Sequence, residues 1–295
     1  MISVKRFLVH LREALWLALE HDVLNTAKAA AYSGMLMLFP ALAMLAALLS
    51  QVSEASSFMG EVRAAFEQFL PADSMTLLQA LMQTRRLHSA QIILSATGLT
   101  LFAGLGMMLS FMEGFRRAYR IRRDDWGFWQ RRVRALVLVP MVLVPLSLAT
   151  LILVFGREIE GWMIDKAGHE LRFMLLIFWR MVRWSVAVTA SVGVLGALYH
   201  FGTRRTEHWA QVGPGAIAAT IMWFPATLAY GWYVTRIAHY SIFYGSFGAG
   251  IVTLVWLYIV TFSALMGAEL NGVLFRARQD KDAARQKSHP DALNL

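Results

Sequence analysis

The sequence predicts an all-α, polytopic membrane protein of six transmembrane helices with proline-kinked spans and accompanying short amphipathic helices. Composition gives the first reason, because 57% of the residues are hydrophobic and only 16% are charged, whereas a soluble domain carries about 25% charged residues. The distribution of charge gives the second. Six intervals of 20 to 32 residues lack Lys, Arg, Asp and Glu (29–53, 87–112, 135–156, 184–203, 208–235 and 237–268). A helix needs about 20 apolar residues to cross the hydrocarbon core. No other uncharged interval exceeds 11 residues, so the chain divides into six spans and their connections, with no soluble catalytic module.

Residues 1–28 form the first element. Phe7, Leu8, Leu11, Leu15 and Leu19 recur at helical spacing, with Lys5, Arg6 and Arg12 available to the other face. This reads as an amphipathic helix on the inner membrane surface, its basic residues meeting anionic lipid, or as a cytoplasmic helix packed under the bundle. The membrane domain follows at 29–275, with spans at about 33–52, 91–112, 135–156, 184–203, 213–235 and 247–268. Between the first two spans, Val62, Ala65, Phe66, Phe69 and Leu70 form a second apolar stripe ended by Pro71, and Asp73 with Ser74 can cap another short helix. This outer connection is large enough to roof one face of the bundle.

Pro40, Pro140, Pro145 and Pro225 fall inside spans, where each removes a backbone hydrogen bond within lipid. They mark kinked, cavity-lining helices or simply the higher proline content of membrane helices. Small residues at four-residue spacing (Ala96, Thr100 and Gly104; Ala264, Ala268 and Gly272) predict close helix contacts. Residues 276–295 read as a flexible, basic cytoplasmic tail.

The net charge of +9 matters here through its placement. Of the 28 Lys and Arg, 19 lie in alternate connecting segments that include both termini, and 9 lie in the others. The positive-inside rule therefore places both termini in the cytoplasm. Arg12 and Glu13 break the first apolar stretch and argue against a cleavable signal peptide. The absence of cysteine excludes disulfides and thiolate metal sites.

Few residues point to chemistry. Glu269 and Glu113 each follow a span running from outside to inside, which sets both carboxylates at the cytoplasmic level. Glu269 reads as a solvated boundary carboxylate, or as one that enters the bundle, pairs with an arginine such as Arg116 or Arg120, and gates a cytoplasmic opening. Arg180 and Arg183 stand three residues apart between Trp179 and Trp184, just before the fourth span on the outer side. That arrangement suits phosphate or carboxylate headgroups, or snorkelling boundary arginines. Eight arginines between 116 and 134 surround Asp124, Asp125 and Trp126, a cluster that inner-leaflet phosphate and topology account for without nucleic acid, which is not an expected partner. The histidines show no HxH or HExxH spacing, and no GxSxG or Walker motif occurs, so no catalytic residue, metal or cofactor is expected.

Several stretches then read together: Ala30, Ala31 and Tyr32 through Pro40; Phe69, Leu70 and Pro71; the arginine-rich segment with Trp126; Trp209 through Gly215 and Ala216; and Tyr244, Gly245 and Ser246 through Trp256 to Gly267, Ala268 and Glu269. In this order the chain resembles the YihY/BrkB family of bacterial inner-membrane proteins over roughly residues 20–275, most specifically in its last stretch. The resemblance implies a six-helix inner-membrane protein with cytoplasmic termini. It also makes Tyr32, Pro40, Tyr244, Gly245 and Trp256 candidate functional positions beside Glu269, Glu113, Arg180 and Arg183. Where the family often has Tyr followed shortly by Pro, this chain has Tyr199, His200, Phe201 and Gly202, which puts the geometry of that exit in question. Family names disagree in class, including an older one for a tRNA-processing ribonuclease.

A metal-dependent nuclease needs clustered His and Asp ligands facing water, and the intervals here offer none. The reading that follows is a transporter or lipid-handling protein of the cell envelope, with membrane lipids, anionic ones among them, as partners. Lipid is favoured over ion because no charge pair is visible deep within a span. The alternative is a noncatalytic scaffold that docks an envelope protein through its outer helices at 56–86, and ribonuclease activity ranks third.

Overall fold

The computed structural model describes residues 4–49, 90–121, 127–166, 172–203, 209–236 and 247–288. Among them are seven helices and no strand: α1 (Val4–Glu20), α2 (Val23–Leu49), α3 (Ala90–Ala118), α4 (Phe128–Lys166), α5 (Arg172–Phe201), α6 (Trp209–Arg236) and α7 (Phe247–Ser288). Five contain stretches long and apolar enough to cross a membrane: Ile93–Ala118, Phe128–Ala149, Leu176–Phe201, Trp209–Val234 and Gly250–Lys281. The sixth expected span falls on α2, which is described as far as Leu49. The outer helices expected at 56–86 lie outside the described residues.

Several helices outrun the uncharged intervals. The fifth begins at Arg172 and carries Arg180 and Arg183 inside its apolar stretch rather than ahead of it. Long basic side chains are tolerated there because their stems lie along apolar surface while their heads reach polar surroundings. The last helix continues to Ser288, across the segment expected as a flexible tail. Its sequence there, rich in Ala, Arg, Lys and Gln, has high helix propensity. Pro40 lies inside α2, Pro140 and Pro145 inside α4, and Pro214 and Pro225 inside α6.

The helices follow one another around a ring. From α2 to α7 each packs on the next in chain order, α7 packs back on α2 and also reaches across to α3, and α1 lies against α7. Because lipid is as apolar as leucine, such a bundle is held by close van der Waals packing and buried polar bonds rather than by expulsion of water. The small residues supply that closeness. A Cβ on Gly104 would sit 2.9 Å from Met37 of α2 and from Val139 of α4. One on Gly272 would strike the Ala118 carbonyl, and one on Gly215 the Gly267 carbonyl.

Packing is concentrated at one end. There Phe115 (α3) meets the Tyr199 ring (α5) edge-on at 5.3 Å and stacks on Phe111 at 5.8 Å. Residues 263–274 of α7 are buried without a break. Away from this end the packing thins. In α5 no described residue from 174 to 190 is buried, whereas Ser191, Val194, Gly196, Leu198 and Tyr199 are. In α6, Val212, Gly215, Ala216, Ala219 and Thr220 are buried, and none from 221 to 234 is. A packed bundle helix buries one side in every turn, and in these stretches that side, which in α5 runs through Leu176, Trp179, Val182 and Val186, is only partly covered. The ring is tightly packed, or closed, at one end, and along α5 and α6 it is loosely packed, or open, over the other half.

Candidate functional site

The closed end gathers the starts of α2, α4 and α6, the ends of α3 and α5 and the middle of α7, and it carries a belt of buried polar groups. The belt begins at the turn after α1. His21 and Asp22 make a two-residue link, with Asp22 at φ 59° and its carbonyl accepting from the Thr26 N–H at 3.1 Å. Aspartate is among the few side chains that tolerate this left-handed conformation. The turn aims the His21 ring at α7, where Nδ1 lies 2.9 Å from Glu269 Oε1. Glu269 is fully buried and its other oxygen, Oε2, has no hydrogen-bond partner among the described residues. The sequence offered an arginine as its partner, but the structure supplies an imidazole. Arg116 is instead committed to Glu113.

Glu113 organises the neighbouring sector. Its carboxylate accepts from Arg116 (Nε at 3.1 Å, Nη2 at 2.5 Å), Arg117 (Nε at 3.2 Å) and Arg131 (Nη2 at 2.9 Å), tying the end of α3 to the start of α4. Arg117 also donates to the His21 carbonyl at 3.1 Å. Glu113 and Glu269 are thus linked through two residues, Arg117 and His21. Arg276, farther along α7, donates to the Ala118 carbonyl at 3.2 Å. Arg116, Arg117 and Arg131 of the cluster are consumed in holding helix ends together, a task that suits the forked guanidinium.

Two more buried groups seal α7 against its neighbours. The Asn271 amide accepts from Gly215 N–H at 2.7 Å and donates to the Val212 carbonyl at 3.0 Å. Pro214, between them, has no N–H to give to the Ala210 carbonyl one turn back and so distorts the ladder of α6 at this point. The Tyr199 hydroxyl donates to the Ala264 carbonyl at 2.6 Å. His21, Asn271 and Tyr199 carry no motif, so the sequence reading passed over them. Their one signal was polarity in or beside apolar stretches.

The other candidates lie elsewhere. Arg180 is exposed and Arg183 half-buried in the open half of α5, where Trp184 meets Phe224 of α6 edge-on at 5.2 Å. Tyr32 is largely exposed on α2 and Pro40 is buried there. Trp256 is half-buried in α7, its indole nitrogen buried and without a hydrogen-bond partner among the described residues. Tyr244 and Gly245 lie outside the described residues. The structure therefore brings Glu113 and Glu269 together and leaves the arginine pair far from them.

The family model described as virulence factor BrkB matches residues 17–292. The chain belongs to the BrkB family. It is 27% identical over 263 residues to the ribonuclease-like protein YfkH of Bacillus subtilis, covering 89% of this chain and 94% of that one. It is 26% identical over 274 residues to a UPF0761 membrane protein of Chromohalobacter salexigens and 24% identical over 288 residues to another of Nitrosospira multiformis. It spans 64% of the length of each of these two relatives while they cover 91% and 94% of it. No solved structure matches. The name YfkH carries is a label of that protein rather than evidence of catalysis. Among the described residues no group of three His, Cys, Asp or Glu could hold a metal, and Asp124 and Asp125 lie outside them.

Proposed function

We propose that this BrkB-family chain is a bacterial inner-membrane carrier that handles an amphipathic anion, a lipid bearing phosphate or carboxylate. α2 serves as the sixth span, and the closed end with both termini faces the cytoplasm. The supporting observation is the packing gradient around a ring tightly packed at one end and loosely packed along α5 and α6 over its other half. A bundle built only for rigidity would bury one side of each helix along its whole length, whereas a carrier needs a region that can open to one side at a time.

The arginine pair fits this reading. At 1.5 Å per residue, Arg183 lies about 24 Å along α5 from Tyr199, close to the thickness of the hydrocarbon core. Arg180 and Arg183 therefore stand at the mouth of the open half. Met181 and Trp184 are exposed beside them, so an anionic head and an apolar tail both find complementary surface.

The test is purification of the wild type and the Arg180→Ala, Arg183→Ala double variant, followed by mass spectrometry of bound lipid and a lipid-movement assay in proteoliposomes. Loss of copurified anionic lipid and at least a tenfold slower movement of anionic over zwitterionic lipid are expected. Unchanged anionic lipid in the double variant would overturn the role of the pair, and no movement in wild-type vesicles would overturn the carrier.

A further inference from the structure

The lipid preference drawn from the sequence rested on there being no charge pair deep within a span. The structure supplies a buried ionisable pair. Glu269 is 0% exposed and His21 15% exposed, with 2.9 Å between Oε1 and Nδ1. At that separation a carboxylate oxygen and a ring nitrogen must have a proton between them, since neither lone pair can face the other bare. Oε2 has no donor among the described residues, and an ionised oxygen without a donor is costly to bury. A carboxyl group needs fewer donors than a carboxylate. The site is thus shaped to hold Glu269 in either state.

We infer that Glu269 and His21 form a proton-binding site, with the imidazole as its doorway and the carboxylate as its store. His21 is the member of the pair that reaches the surface. A proton taken up by its other nitrogen is balanced by transfer of the Nδ1 proton to Glu269, which becomes a neutral carboxyl. The ring returns to its neutral form and no other reactant is needed. The site sits where such an event has mechanical consequences, because His21 belongs to the turn that pins α1 and α2 against α7. Thr261, eight residues before Glu269, has its hydroxyl oxygen 2.8 Å from the Leu257 carbonyl of its own helix and 3.1 Å from the Ala27 carbonyl of α2, so the same two helices come into close contact again deeper in the ring.

The charged groups around the pair come from each neighbouring element. Asp22 flanks His21 in the turn, with its carboxylate 3.8 Å from Arg117 of α3. Arg276 of α7 and Arg120 beyond α3 act on Glu269 through space, and Glu13 of α1 acts on Arg276. From α5, the Tyr199 hydroxyl is spent on the Ala264 carbonyl. The cations stabilise the carboxylate form and burial stabilises the carboxyl form, which is the balance a reversible proton site requires.

On the carrier reading, this site would couple closure of the cytoplasmic end to a proton, but it is tested without transport. Infrared difference spectra of the full chain in nanodiscs between about pH 5 and 8, the range where imidazole changes charge, should show a buried carboxyl band. Glu269→Gln should abolish that band. Glu113→Gln should leave it intact, because Glu113 is partly exposed and held by three arginines. His21→Gln, which keeps a polar side chain at the turn and guards against a misfolded Glu269 variant, should shift the midpoint of the band by at least one pH unit. A wild type without the band, a band that survives Glu269→Gln, or a midpoint indifferent to His21→Gln would each overturn the site. A band that behaves as expected in a protein that moves no lipid would sink the carrier reading and leave the proton site standing.

Discussion

At the residue scale the closed end turns on contacts too tight to admit one more carbon. A Cβ on Gly215 would overlap the Gly267 carbonyl and lie against the Asn271 amide, whereas one on Gly193 meets nothing within 4 Å. Gly215→Ala should therefore cost about 1–3 kcal/mol through overpacking, read as a lower melting temperature in detergent, with Gly193→Ala at or above wild type. Equal melting temperatures for the two variants would refute the close α6–α7 contact. Asn271→Ala strands a buried N–H and a buried carbonyl and should destabilise by about 1–3 kcal/mol. The sequence made Glu269 conspicuous, because it ends a long uncharged run. It could not name the partner, since His21 lies 248 residues away and a lone histidine has no spacing to read. Likewise the four-residue run of Ala264, Ala268 and Gly272 announced a close contact, but which helix each residue would touch is set only when the ring closes.

At the element scale the instructive case is α1. Its apolar residues were expected to form one stripe that included Leu15 and Leu19, yet the buried side is Ala14, Leu17 and Ala18, the first two packed with Leu270, Val273 and Leu274 of α7 and the third in the main core. Leu15, Trp16 and Leu19 remain 49%, 72% and 61% exposed. Both sides are apolar, and the periodicity alone could not choose between the membrane surface and the bundle. The packed side rests on a stretch of α7 that belongs to a candidate span, so the outward side stands at the level of the bilayer edge, where tryptophan and arginine are at home. Since the chain has no cysteine, a single Trp16→Cys variant can carry a spin label without competition. That label should sense lipid in nanodiscs, and one at Arg12 should sense the water boundary. A fully aqueous signal at position 16 would place α1 beneath the bundle and clear of lipid. Leu17→Glu should detach α1 and raise hydrogen exchange in residues 9–20 by at least tenfold.

At the scale of the whole molecule, the all-helical architecture and the five candidate spans of α3 to α7 were legible because charge-free runs mark where chain can sit in lipid, and consecutive helices tend to be neighbours. The gradient of packing was not legible, because α5 and α6 are as apolar in their open halves as in their closed ones. It follows from where the small residues and buried polar bonds converge. This gradient yields the last prediction, which joins topology to mechanism. Single cysteines at Val188 and Ile221, both exposed in the open half, should react with a membrane-impermeant maleimide added to the periplasmic side of spheroplasts if water enters the ring there. One at Ala268, fully buried at the closed end, should react from neither side, and one at Arg278, exposed on the last helix, only after the membrane is opened. Labelling of position 278 in sealed spheroplasts would reverse the assigned orientation. Protection of positions 188 and 221 from both sides would mean that lipid or protein fills the open half, and the carrier reading would lose the observation that supports it. Should the pattern hold, shifting the pH across the range that loads the Glu269–His21 pair should change the reactivity of position 268 before that of position 188, since the seal lies at the proton site and the cavity beyond it is already open.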